Sequence, residues 1–255
     1  MSGSRSEKAN HWQNAVMVHG DDKGLIIPPR VAETQVVIVP TGITASTSVE
    51  HKLGLYKEVD ALEEILKAQS IRVISDKSEG NSPGWKWNEW EQKGVPLRLV
   101  FGPEESKGHF VTTSRRDVLG KDGKSQIPIS DIGAGVRRIL ESIQGDLYDR
   151  ARNTMEEHTK QITSWDDFVP SLNEKNINLI PHCLTEECED QIKKLSARTT
   201  TDDAIPEDEK APSMGAKSLC IPYRQPTADL TENTSCLNPG CTHQAKKWCL
   251  FGRSY

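Results

Sequence analysis

The apolar and polar positions divide the chain into a long α/β region and a shorter tail of different character. Residues 1–24 are polar and lack periodicity. Thr34-Gln35-Val36-Val37-Ile38-Val39-Pro40 is short, β-branched and closed by proline, which predicts a buried strand. Over residues 50–69, Leu55, Val59, Leu62 and Leu66 recur at helical spacing with charges between them, the pattern of an amphipathic helix. Ile71-Arg72-Val73-Ile74 reads as a second strand, and strand–helix–strand predicts a parallel pair with a right-handed crossover. Asn81-Ser82-Pro83-Gly84 is a turn, and Trp85 to Glu91 a short helix. Residues 95–101 and 110–113 are two further strands. A long helix begins near Ile132, with Val136, Ile139, Leu140, Ile143 and Leu147 on one face, and extends to Glu157 or beyond. One α/β domain over residues 31–152 accounts for these elements.

The tail, residues 153–255, begins with a small element at Trp165-Asp166-Asp167-Phe168 and a short strand at Ile177-Asn178-Leu179-Ile180. Residues 199–212 form a polar, acidic loop, and no internal repeat is visible. Residues 1–30 stand apart from both domains as a polar N-terminal segment.

The chain's 255 residues leave room for one large domain or two small ones. Only 35% of residues are apolar, 27% are charged, and the mean hydropathy is −0.60, as expected of a protein with much solvated surface. No apolar stretch approaches the roughly 18–20 residues that span a bilayer. The polar start, Met1 to Lys8, lacks the apolar core of a secretory signal, so a cytoplasmic location is expected. A net charge of −5 argues against non-specific coating of nucleic acid, yet leaves room for a local basic face that binds RNA.

Four of the six cysteines fall into two C-x4-C pairs, Cys183/Cys188 and Cys236/Cys241. The second pair encloses Asn238-Pro239-Gly240, residues that turn a backbone sharply enough to aim two thiolates at one point. Two such knuckles separated by a long insert suit a structural zinc site, because four sulfurs close the tetrahedron. Reduced cysteines that merely pack are the competing explanation. Cys220 and Cys249 sit in apolar strands and read as core residues, although either, like His182 or His243, could stand in for a ligand. The run His19-Gly20-Asp21-Asp22 could suggest an acid–base or metal site, but without a companion cluster it reads as a turn at a domain seam. His51, His109 and His158 read as solvent-facing.

Longer stretches carry a resemblance. Val18-His19-Gly20-Asp21-Asp22-Lys23-Gly24-Leu25-Ile26-Ile27-Pro28-Pro29-Arg30 with Gln35 to Pro40 resembles the seam between catalytic and anticodon domains of prolyl-tRNA synthetases. Ser82-Pro83-Gly84-Trp85-Lys86-Trp87-Asn88-Glu89-Trp90-Glu91-Gln92-Lys93-Gly94-Val95-Pro96-Leu97-Arg98 resembles that family's anticodon-domain signature. Gly215 to Pro222 and the terminal Leu250-Phe251-Gly252-Arg253-Ser254-Tyr255 are similar to the eukaryotic and archaeal branch, above all to the prolyl half of the fused glutamyl-prolyl enzyme.

The resemblance implies an α/β fold: a class IIa anticodon-binding domain with a mixed five-stranded sheet flanked by helices, then a small α/β zinc-binding domain. It implies one structural zinc on Cys183, Cys188, Cys236 and Cys241, and gives Tyr255 the role of an active-site organiser in the full-length family. It implies tRNA(Pro) as partner, with a catalytic domain or a multi-synthetase complex beside it, and neither DNA nor membrane. The first two class II motifs are not found, and Ala9 to Ala15 lacks the arginine of the third. The chain alone is therefore expected to be inactive, with ATP a ligand of a full-length enzyme only. The alternative is a free-standing truncated paralogue that binds tRNA or acts as a scaffold or regulator.

Specific RNA readers stack unpaired bases on aromatic faces and bond their polar edges. Trp85, Trp87 and Trp90, interleaved with Lys86, Glu89 and Lys93, offer both kinds of group, although spacings of two and five cannot all face one way. At least one tryptophan therefore belongs to the core. A proline anticodon carries guanines at its second and third positions. Glu89 could accept from guanine N1 and N2, a lysine or arginine could donate to O6 and N7, and Arg98, Arg115 and Arg116 are candidates for phosphate contacts.

Overall fold

The structure, a computed structural model, describes residues 16–44, 46–197, 215–226, 230 and 234–253. The chain forms two compact units, Met1–Ala151 and Arg152–Tyr255.

In the first unit, β1 (Val36–Pro40) is followed by α1 (Val49–Ala68), β2 (Val73–Ser75), α2 (Pro83–Gln92), β3 (Leu97–Phe101), α3 (Pro103–Gly108), β4 (Phe110–Arg115), β5 (Lys124–Pro128) and α4 (Ile132–Glu157). The five strands form one mixed sheet in the order β2-β1-β3-β4-β5. β1 runs parallel to both β2 and β3, while β3, β4 and β5 are antiparallel neighbours. On one face Val36, Ile38, Leu97, Leu99, Phe101, Val111 and Ile127 pack with Leu55, Val59, Leu62 and Leu66 of α1 and with Ile132, Val136, Leu140, Ile143 and Leu147 of α4. The apolar stripes expected of the two helices are those that are buried. On the other face Val37 and Val39 pack with Val95 beneath Trp87 and Trp90 of α2. Burial on both faces explains why β1 reads as an unbroken apolar run rather than as an alternation.

The sequence pattern did not mark β5 or α3. In β5 only Ile127, opposite Val111, is buried, so no period of two is visible along Lys124-Ser125-Gln126-Ile127-Pro128.

The second unit holds β6 (Thr159–Gln161), α5 (Trp165–Asn173), β7 (Ile177–His182), α6 (Glu186–Leu195), β8 (Lys217–Cys220) and β9 (Lys247–Gly252), with the sheet in the order β6-β7-β9-β8. Phe168, Leu172, Ile180, Ile192 and Phe251 form its core together with Cys183, Cys188, Cys236 and Cys249. Cys249, on the inner strand β9, is buried, in line with its reading as a core residue. Cys220 corrects the same reading: it lies on the edge strand β8, whose last three residues face outward, and its thiol is exposed. Among the described residues no helix is long and apolar enough to cross a membrane.

Candidate nucleic-acid interface and metal centre

Helix α2 starts where the sequence places both a cap and a fixed φ. Ser82 accepts from the Trp85 backbone N–H at 3.2 Å, and Pro83 occupies the first turn. The resulting phase points Trp87 and Trp90 onto β1 and leaves Trp85 half exposed. On the solvent side, Lys93 Nζ donates to Glu89 Oε1 at 2.7 Å and lies 4.3 Å from the centre of the Trp90 ring.

At the inner edge of α2, Arg98 of β3 stacks on Trp87 with its guanidinium carbon 4.9 Å from the ring centre, and its Nη2 donates to Ser114 Oγ at 3.2 Å. Trp87 Nε1 and Arg98 Nε are both buried and have no hydrogen-bond partner among the described residues. Glu91, Trp90, Val95, Ser114 and Arg98 line one small recess. Burial lowers the Arg98 pKa, and the nearby Glu91 carboxylate opposes that shift. Beside the recess the same face of the sheet continues in register through Arg98, Ser114 and Lys124, then Val100, Thr112 and Gln126. Directly opposed residues of an antiparallel pair point to one face, so these positions make a half-exposed polar strip.

Three cations expected to touch RNA serve internal partners instead. Lys86 is buried, and its ammonium donates to the carbonyls of Asp76 at 3.0 Å and Ser78 at 2.7 Å. The Asp76 carboxylate lies 3.4 Å away and accepts from Trp90 Nε1 at 2.8 Å. The helical phase that exposes Trp85 turns position 86 inward onto the 76–78 loop. Arg115 is paired with Leu97 and so projects from the opposite face, where it bonds Asp117, Ser142 and Asp146. Arg116 is buried, donating from Nε to the Glu91 carbonyl at 2.9 Å and from both terminal nitrogens to Asp21 at 2.8 and 2.6 Å. Arg116 holds the Asp21 carboxyl at a pKa of about 2, well below the ordinary 3.8. The sequence did not single out Asp76, Asp117 or Glu91; only the folding of distant segments onto α2 and β4 gives them partners.

In the His19-Gly20-Asp21-Asp22 run, His19 ends a short helical stretch, and Asp21 and Asp22 begin a turn closed by reciprocal backbone bonds between Asp21 and Gly24 at 3.1 Å. His51, His109 and His158 are exposed.

In the second unit the end of β7 delivers His182 and Cys183, the first turns of α6 deliver Cys188, and residues 235–244 return as a loop carrying Cys236 and Cys241. This loop turns where the Cys241 N–H meets the Asn238 carbonyl at 2.9 Å. Cys188 Sγ and Cys236 Sγ are 3.4 Å apart, and Cys183 Sγ and Cys241 Sγ are 3.7 Å apart. Tetrahedral zinc–thiolate bonds of about 2.3 Å put their sulfurs roughly 3.8 Å apart, so both contacts suit a shared ion. None of the four is in a disulfide. Two groups are compact enough for one ion: His182, Cys183, Cys188 and Cys236, and Cys183, Cys241 and His243. Cys183 belongs to both.

Burial opposes ionisation of Cys183, yet bonds from the Thr185 hydroxyl and backbone bring its pKa down to about 7. Burial pushes Cys188 up and raises Cys236 to about 11. Asn238, seen in the sequence only as a turn former, is buried and donates to Cys188 Sγ at 3.2 Å and to Gln191 Oε1 at 2.7 Å. His182 Nδ1 accepts from the Leu184 N–H at 3.2 Å, and its buried Nε2 has no hydrogen-bond partner among the described residues. Tyr255, residues 199–212 and the stretch Ala9–Ala15 lie outside the described residues.

Residues 35–139 match the family model described as an anticodon binding domain, and residues 165–255 match the one described as prolyl-tRNA synthetase, C-terminal. A proline–tRNA ligase homologue of Schizosaccharomyces pombe is 47% identical over 96% of this chain. The bifunctional glutamate/proline–tRNA ligase of Drosophila melanogaster is 43% identical over 94%, and the cytoplasmic proline–tRNA ligase of Arabidopsis thaliana 37% identical over 98%. The chain spans 35%, 14% and 45% of the lengths of these three relatives. With a class II anticodon-binding sheet, a C-terminal family match and relatives of one kind, the chain belongs to the prolyl-tRNA synthetase family, of which it carries the anticodon-binding and C-terminal domains.

Proposed function

We propose that the first unit binds the anticodon of tRNA(Pro), and that the chain acts as the C-terminal part of a cytoplasmic proline–tRNA ligase. One observation carries the reading: Glu91 and the Trp87-stacked Arg98 line one recess beside an exposed tryptophan and an uncovered polar strip of sheet. A guanidinium within electrostatic reach of a carboxylate supplies groups that match the O6 acceptor and the Watson–Crick donors of guanine. Trp85 offers a stacking surface, while Glu89, Lys93 and Lys124 flank the path of the loop. Lys86 and Arg116 shape this face rather than touch RNA, and Arg115 serves partners on the opposite one. Proline activation with ATP belongs to the whole ligase.

We further propose that the second unit is held by one zinc ion on Cys183, Cys188, Cys236 and Cys241. Its role is structural, since four thiolates leave no open position, and Asn238 would orient the Cys188 sulfur.

A binding titration with a hairpin RNA of the proline anticodon stem-loop tests the RNA reading. Preference for it over a hairpin with adenines replacing the second- and third-position guanines is expected. Equal affinity for the two would refute anticodon reading.

A further inference from the structure

Arg116 joins three segments that surround the recess. Its backbone N–H donates to the Pro96 carbonyl at 2.9 Å, one residue before β3 begins. Its Nε donates to the carbonyl of Glu91, in the last turn of α2. Its two terminal nitrogens grip the Asp21 carboxylate. A helix leaves its last carbonyls short of internal donors, and a cation there acts as a cap. Arg116 adds a charged donor to the Glu91 carbonyl, which also accepts from the Gly94 N–H at 3.0 Å; Glu91 is one of the residues that line the recess, and its carboxylate lies 3.9 Å from Lys23 Nζ.

The grip has an anchor of its own. Asp21 sits in a tight turn whose Lys23 N–H donates to Asp21 Oδ1 at 2.9 Å. That turn is docked on the end of α2 by Leu25 N–H to the Gln92 carbonyl and Ile27 N–H to the Gly94 carbonyl, both at 3.2 Å. The approach is close enough to require glycine. A Cβ on Gly94, which has φ +75°, would meet Leu25 Cβ at 2.7 Å, and one on Gly24 would meet the Gln92 backbone at 2.9 Å. The turn, the cap and the end of α2 are therefore one packed unit, with the Arg116 side chain 2% exposed at its centre.

We infer that Arg116, anchored by Asp21, is a specificity-positioning residue: it fixes the Glu91 backbone and so holds the Glu91 side chain at the recess that Arg98 also lines. This rests on the RNA reading above. A lysine could not replace it, since one ammonium cannot present an Nε–H in one direction and a two-pronged fork in another.

The test compares Arg116→Lys and Asp21→Asn with the wild-type chain, against the proline anticodon hairpin and the same hairpin with inosine for both guanines. Inosine lacks the N2 amine that a carboxylate would accept. Wild type should prefer guanine, and in Arg116→Lys the guanine-to-inosine affinity ratio should fall by about five-fold or more, the scale of one base-edge contact. Affinity for the inosine hairpin should be largely kept. Asp21→Asn, which leaves the arginine in place without its counter-charge, should shift the ratio in the same direction and decides the matter if the lysine variant does not fold. An unchanged ratio in the folded variants, or an equal loss for both hairpins, overturns the inference. A wild-type chain that does not prefer guanine overturns the underlying RNA reading instead.

Discussion

The Arg98 guanidinium carbon lies over the Trp87 ring, 4.9 Å from its centre, and each side chain keeps a buried N–H with no acceptor among the described residues. A buried donor left unpaired costs about 1–3 kcal/mol, so the pair is poised for an acceptor-rich partner. Arg98→Lys keeps the charge but removes the planar stack and the fork. We expect it to weaken binding of the anticodon hairpin by about ten-fold or more, within the range of a bidentate base contact. Tryptophan fluorescence during the titration gives the affinity. Wild-type affinity in the variant would remove Arg98 from the interface.

Lys86 makes a different prediction because its ammonium is enclosed by carbonyls and Asp76. Lys86→Met keeps the stem but leaves those carbonyls and a largely buried carboxylate short of a donor. A stability loss of about 1–3 kcal/mol is expected, read as a lower urea midpoint for the first unit. A midpoint equal to wild type would contradict the enclosed position.

The Asp21–Arg116 pair predicts an acid dependence of known sign. The folded-state pKa of Asp21, about 2, lies below the ordinary 3.8. Its contribution to stability is therefore present above 3.8 and is lost as pH falls from there to about 2. Melting curves of wild type and Asp21→Asn should differ at about pH 5 and converge toward pH 2. Because Asp21 is partly exposed, screening by salt should reduce the gap. A gap that widens in acid would contradict the assignment.

Metal analysis separates the two ligand groupings in the second unit. About one zinc per chain is expected, and none after Cys183→Ser with Cys236→Ser. Cys241→Ser should release zinc to a chromophoric chelator far faster than His182→Ala. The reverse order would put His182, with its unpaired Nε2, in the fourth position.

Much of the fold was legible because its signals were local. The stripes of α1 and α4, the β-branched run of β1, and the Ser82-Pro83 start of α2 each lie within one segment. What was not legible depends on partners far along the chain. The strand β5 exists because β4 offers it a ladder, and Ile127 alone carries its burial. Lys86, Arg115 and Arg116 looked like RNA contacts because composition shows charge but not the carboxylate waiting at positions 76, 117 or 21. The cysteine spacing pointed to one cluster with His182 and His243 as possible substitutes, while the way the ligands divide into two groups became visible only with the geometry.

The outermost strand of the first sheet also bears on how the chain behaves in a crowded cell. β5 pairs with β4 on one side and is one of the two end strands of the sheet, so among the described residues no strand lies along its other edge. Such an edge can template stacking of further copies into aggregates. This one is short, begins with an exposed lysine and ends with a proline that has no N–H to offer. The half-exposed strip thus sits beside a border that discourages self-assembly, and replacing Lys124 and Pro128 with valines should lower the concentration at which the protein precipitates.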